Sequence, residues 1–146
     1  MKIEINNLTK AKIEAGFLEK IAEKVLSLDK LGTKISKKFS ELGVVLAGDA
    51  KMKNLNKQYR KRNYTTDVLA FDYGFQFGGQ GEIIICLDQA KRQAKELKHS
   101  LKEELAILLI HGILHLAGYD DEMKKQRDEM IKKQNQILLK LKNSPR

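Results

Sequence analysis

Residues 100–121 read SLKEELAILLIHGILHLAGYDD, and the rest of the chain has to be arranged around what this stretch becomes. Ser100 and Glu103 have the spacing of a capping box, in which the serine hydroxyl receives the backbone N–H three residues on. Gly118 stands where a helix ends in a left-handed residue. Between these signals, Leu105–Ala117 is a run of 13 residues that is apolar except for two histidines. A helix apolar around its whole circumference must be covered on all sides, and a membrane span needs roughly 20 apolar residues. The run therefore predicts a helix buried in a globular core.

The preceding chain supplies layers to bury it. MKIEINN sets Met1, Ile3 and Ile5 against Lys2, Glu4 and Asn6, the alternation of a strand with one buried face. From Thr9 to about Asp29, Ile13, Phe17, Leu18, Ile21, Val25 and Leu28 recur at helical spacing, with Thr9 placed to cap. Lys30 to Ser40 reads as a polar connection, and ELGVVLAGD as a buried strand. Asp49 then caps the helix AKMKNLNKQYRKR, whose stripe is Met52, Leu55 and Tyr59.

DVLAFDY (67–73) and GEIIICL (81–87) are strand-like runs joined by GFQFGGQ, either a hairpin or a crossed pair. Asp88 caps QAKRQAKEL. A last helix, roughly Glu122 to Leu141, presents Met123, Met130, Ile131, Ile137, Leu138 and Leu141, and residues 141–146 form a frayed tail. No repeat or linker interrupts this order. It predicts one α+β (α/β-like) domain over residues 1–146, a mixed sheet of about four strands covered by helices.

Composition narrows the class. The 146 residues, 42% of them hydrophobic, suffice for a packed core. One cysteine, Cys86, excludes an internal disulfide, and the start lacks the apolar segment of a signal peptide, so a cytoplasmic protein without membrane partners is expected. A net charge of +9 favours an anionic partner, nucleic acid before membrane surface.

His111 and His115 are four residues apart and so project from one helix face, the geometry by which two imidazoles hold one metal. Each buried imidazole needs partners for both nitrogens, and a shared ion satisfies one nitrogen on each ring; the ordinary alternative is two core histidines bonded to backbone. Gly118 can turn the chain back and deliver Asp121 as third ligand, with Asp120 as its neighbour substitute or as a group orienting a ligand histidine. His99 lies about three helical turns before His111, too far to ligate. Gly112 occupies the position where metalloproteases of the H-E-x-x-H type carry their general base, which disfavours that chemistry. No phosphate-binding glycine loop and no serine nucleophile elbow occurs, and Cys86 reads as core.

HGILHLAGYDD, with RKRNYTTDVLAFDY and GEIIICL upstream, resembles the YbeY family of bacterial endoribonucleases of ribosomal RNA maturation. The likeness runs from about Glu41 to Glu122 and includes a segment similar to the family's H-G-x-L-H-L-x-G-Y-D-H. It implies a metal-dependent hydrolase (nuclease, endonuclease) acting on single-stranded or ribosomal RNA in rRNA processing, ribosome biogenesis and ribosome quality control. The ribosome or its assembly factors are the implied partners, and zinc the usual metal. The chain departs from the pattern at Asp121, where the family has histidine. Two histidines and a carboxylate suit Zn2+ and also Fe(II), Mn or Ni.

The six basic residues between Ala50 and Arg62, with no acid among them, place the charge. Lys51, Lys53, Lys57, Lys61 and Arg62 are candidate RNA contacts, the bland reading being a solvated helix face. Arg60 matches the arginine at the family's active site, and its planar fork suits a phosphate oxygen, so it is the candidate catalytic residue. The resemblance also puts Thr65, Thr66 and Asp67 near the cleft. Tyr59, Tyr64 and Tyr73 are candidates for base stacking, though aromatic residues beside strands are more often core. A different class of function also fits the charge: a ribosome-associated RNA-binding protein whose metal site is structural or lost. Hydrolysis of a peptide or small molecule is disfavoured by Gly112 and by the basic segment.

Overall fold

The computed structural model describes residues 1–60 and 66–143, the side chains of Asp29, Arg60 and Phe77 excepted. Four strands, β1 (Lys2–Asn7), β2 (Glu41–Ala47), β3 (Val68–Asp72) and β4 (Gln80–Cys86), form one open sheet in the order β1-β2-β4-β3. β1, β2 and β4 are parallel, with Ile3 opposite Leu42 and Val44 opposite Ile83. β3 runs antiparallel to β4, Leu69 opposite Ile84, so the two strand-like runs form a hairpin, with a short 3-10 turn at Phe75–Phe77. The result is an α+β fold with a mixed sheet and six helices among the described residues.

The helices α1 (Ala15–Leu26), α2 (Asp29–Lys38), α3 (Asp49–Arg60), α4 (Leu87–Glu96), α5 (Leu101–Leu116) and α6 (Lys124–Lys142) divide unequally between the sheet's faces. β2 and β4 send Val44, Leu46, Ile83 and Ile85 into the main core, with Leu109, Ile110, Ile113 and Leu114 of α5. Their alternate residues, with Leu69 and Phe71 of β3, pack on Met52 and Leu55 of α3 in a smaller cluster. α5 packs on β3 and β4 and meets α1, α4 and α6, which is why a helix without a polar face is stable there. Each large aliphatic side chain it buries contributes roughly 1.5–3 kcal/mol.

The seating of α5 depends on Gly112. A Cβ at this position would stand 2.6 Å from Cγ2 of Ile83, closer than any real contact, so helix and sheet touch almost backbone to side chain. A glutamate after the first histidine has no room here. The absence of the metalloprotease base is thus a packing requirement of this helix as well as a chemical one.

Several local expectations are corrected. Thr9 caps no helix: its N–H and hydroxyl both bond Asn7 Oδ1, making a turn, and α1 begins at Ala15. The helix expected to reach about Asp29 ends at Leu26, and after a break at Ser27–Leu28 the supposed polar connection is a further helix, α2. Leu31, Ile35 and Phe39, one turn apart, bury the face that its many lysines obscure. Asp49 and Asp88 are first-turn residues of α3 and α4, and Asp88 Oδ2 accepts the Asp49 N–H at 2.8 Å. Of the residues expected to line the last helix, Met130 and Ile137 are buried while Met123 and Ile131 are exposed, and α6 continues through Lys142, past the expected start of fraying. Ser100 does cap α5, its Oγ accepting the Glu103 N–H at 3.1 Å. No helix among the described residues is long and apolar enough to cross a membrane.

Candidate metal centre

α5 ends in a Schellman motif built by its own sequence. Tyr119 N–H reaches the Leu114 carbonyl at 3.0 Å and Gly118 N–H the His115 carbonyl at 3.0 Å, with Gly118 at φ +103°. The chain leaves the helix folded back along its last turn. Asp120 then fixes the next step, its Oδ1 accepting the N–H groups of Asp121 (2.7 Å) and Glu122 (3.1 Å). Asp120 thus holds the loop and orients no histidine. The carboxylate that arrives beside the imidazoles is that of Asp121.

The three side chains converge on one point. His111 Nε2 and His115 Nε2 are 3.0 Å apart, and Asp121 Oδ2 lies 3.4 Å from His115 Nε2 and 3.6 Å from His111 Nε2. On the far side of each ring, Nδ1 of His115 donates to the Tyr119 carbonyl at 3.1 Å and Nδ1 of His111 to Oε1 of Gln134 at 3.2 Å. With Nδ1 carrying the proton, both Nε2 atoms present lone pairs to each other and to a carboxylate oxygen. Burial, reinforced by the neighbouring His111, lowers the pKa of His115 and favours its neutral, electron-donating form.

Three lone-pair donors facing one another without a proton repel, and a cation removes the repulsion. Ligand atoms 2.0–2.2 Å from a tetrahedral ion are roughly 3.3–3.6 Å apart, close to the triangle formed here. These residues could hold a metal ion. His99 stands outside the set, with Nε2 2.6 Å from the buried Glu104 carboxylate. Cys86 is core, hydrogen-bonded to Asp49, and burial pushes its thiol up to about 11.

Gln134 is the site residue that sequence reasoning missed. It sits on α6 four residues after Met130 and three before Ile137, so a polar side chain interrupts the buried stripe of that helix. That interruption was the available signal. Because the amide fixes the His111 ring, Gln134→Leu is expected to weaken metal binding by roughly 10–100-fold without unfolding the chain. Competition with a chromogenic chelator measures this; unchanged affinity would mean that the ring is positioned by packing alone.

A cleft of ≈300 Å³ opens beside the triad. Its walls are β3, Leu116, residues 120–122 and the ring of Tyr59 from α3. At its margin Lys38 Nζ lies 3.1 Å from Asp72 Oδ2 and 3.4 Å from the Leu116 carbonyl, tying the end of α2 to β3 and to the C-terminus of α5. Lys51, Lys53 and Lys57 are on the exposed face of α3. Arg60 is the last residue of that helix, one position after Tyr59; its side chain, like Lys61, Arg62, Tyr64 and Thr65, lies outside the described residues. Asp67 immediately precedes β3, its carbonyl accepting the Cys86 N–H.

Comparison with known proteins agrees over nearly the whole chain. Residues 4–142 match the family model described as Endoribonuclease YbeY. A protein of that name from Aquifex aeolicus is 42% identical over 138 residues, covering 92% of this chain and 88% of its own. One from Phytoplasma australiense is 37% identical over 147 residues, covering 97% and 96%. The solution structure of a Thermotoga maritima protein superposes with a TM-score of 0.57 at 29% identity, covering 98% of this chain and 93% of that one.

Proposed function

The chain belongs to the YbeY family of endoribonucleases, and within that family we propose that it is a metal-dependent endoribonuclease that hydrolyses single-stranded RNA. Its setting is the cytoplasm, in ribosomal RNA maturation and ribosome quality control, in association with the ribosome or its assembly factors. The observation that carries the metal dependence is the triangle of two Nε2 atoms and one carboxylate oxygen.

His111, His115 and Asp121 hold one divalent ion, zinc by preference. When bound, the ion supplies Lewis acidity toward a phosphate oxygen and acidifies water toward a pKa of ~7. Gln134 and the Tyr119 carbonyl keep the two imidazoles in the tautomer that can ligate. Arg60 offers two parallel N–H donors to the non-bridging oxygens, where negative charge grows in the transition state. Lys51, Lys53, Lys57, Lys61 and Arg62 attract the backbone on either side of the scissile phosphate.

Elemental analysis of the purified protein, alongside cleavage of a labelled single-stranded RNA with and without chelator, tests this. One equivalent of a divalent metal and cleavage that chelator abolishes and added zinc restores are expected. Cleavage persisting in excess chelator would overturn the metal mechanism. RNA binding without any cleavage would make the protein an RNA-binding module.

A further inference from the structure

Three aromatic rings run in contact along the open edge of the sheet, on the face opposite α5. Tyr59 meets Phe71 edge to face with centroids 5.3 Å apart, and Phe71 stacks on Tyr73 at 6.1 Å with their planes 21° apart. Phe71 is anchored in the smaller core cluster, and the Tyr73 hydroxyl donates to Glu82 at 2.9 Å, so the row is fixed at its base. Tyr59, by contrast, is 60% exposed. Tyr59 is thus a solvent-facing ring braced by Phe71, which is itself stacked on Tyr73.

The location gives the row a meaning. Tyr59 and Phe71 line the same cleft as His115 and Asp121, reaching it from the α3 side of β3 while His115 reaches it from the α5 side. A strand laid over this edge would meet the triad and the aromatic ring in succession. The helix that carries Tyr59 exposes lysines, and the sequence from Ala50 to Arg62 holds no acid, so the surface beside the ring suits a polyanion with flat apolar groups.

We propose that Tyr59 is a stacking platform for one unpaired nucleobase of the RNA substrate, flanking the phosphate at the triad, and that this contact makes the site selective for single strands. The proposal rests on the endoribonuclease reading above. A base inside a duplex has both faces covered by its neighbours and has none to offer Tyr59, whereas any unpaired base has a free π-face. Selection is therefore by strandedness and tolerant of base identity. Phe71 and Tyr73 act as positioning residues that hold the ring upright.

The test uses the metal-loaded protein and a short single-stranded RNA carrying 2-aminopurine, moved one position at a time past the cleavage site. At one flanking position the wild-type protein should quench the fluorophore in stopped-flow mixing. Tyr59→Ala should lose that quench and bind the RNA roughly tenfold more weakly, with its metal content unchanged. Tyr59→Phe should restore both. With the wild-type protein, an abasic nucleotide at the same position should reproduce the loss, which keeps the proposal testable even if Tyr59→Ala folds poorly. Wild-type RNA cleavage combined with no position-specific quench, or with full tolerance of the abasic substrate, would overturn the platform and leave the nuclease intact. Failure of the wild-type protein to bind or cleave any RNA would overturn both.

Discussion

Replacing His115 by alanine is expected to abolish stoichiometric metal binding and, with it, RNA cleavage. The triad has only three donors, and structural zinc sites with about four donors bind with ~10–16 kcal/mol, so each donor accounts for ~3 kcal/mol, or about two powers of ten in affinity. His111→Ala should behave alike, because its Nε2 is the second corner of the same triangle. Asp121→Ala removes the only anionic corner, and Asp121→His should tighten zinc by supplying a third neutral nitrogen. Inductively coupled plasma measurements on dialysed protein, with circular dichroism to establish folding, read all four variants. If Asp121→Ala binds metal as the wild type does, the carboxylate is not a ligand, and the loop built by Gly118 and Asp120 serves another purpose.

Arg60→Lys is expected to separate binding from chemistry. Lysine keeps the charge that attracts phosphate but loses the planar pair of donors, and only the latter matches two oxygens of a phosphate whose charge is rising. Affinity for single-stranded RNA should be largely retained while single-turnover cleavage falls more than tenfold, a loss beyond ~1.4 kcal/mol of transition-state stabilisation. Parallel losses in both would make Arg60 a substrate clamp. Undiminished cleavage would move the catalytic role to another cation.

Together with the Gln134 and Tyr59 variants, these results would divide the cleft by function. On the proposed assignments the triad and Gln134 would govern metal content, Arg60 the chemical step, and Tyr59 which RNA is accepted. The assignments rest on separate readouts, so one can fail without the others. Tyr59 and Arg60 are adjacent at the end of α3, and the contrast between their variants is therefore the most informative: one should lose binding, the other turnover.

What the sequence determined by itself is what depends on residues close together in the chain. The i, i+4 pair His111 and His115, the Ser100 cap and the Gly118 terminator are separated by one or a few helical turns, so helix geometry alone sets their relation, and the turn at Gly118 carries Asp121 back to the pair. The strands were legible for the same reason, through alternation or continuous apolar runs. Tertiary structure decided the rest. The sheet order that leaves β3 at the edge depends on β4 pairing with the distant β2. The burial of Leu31 and Ile35 in a lysine-rich stretch depends on what packs over them. Gln134 reaches His111 across 23 residues, and Tyr59 meets Phe71 only because α3 crosses the sheet beside its edge strand. Such contacts follow from how whole elements pack, a property spread over the entire core and carried by no local spacing.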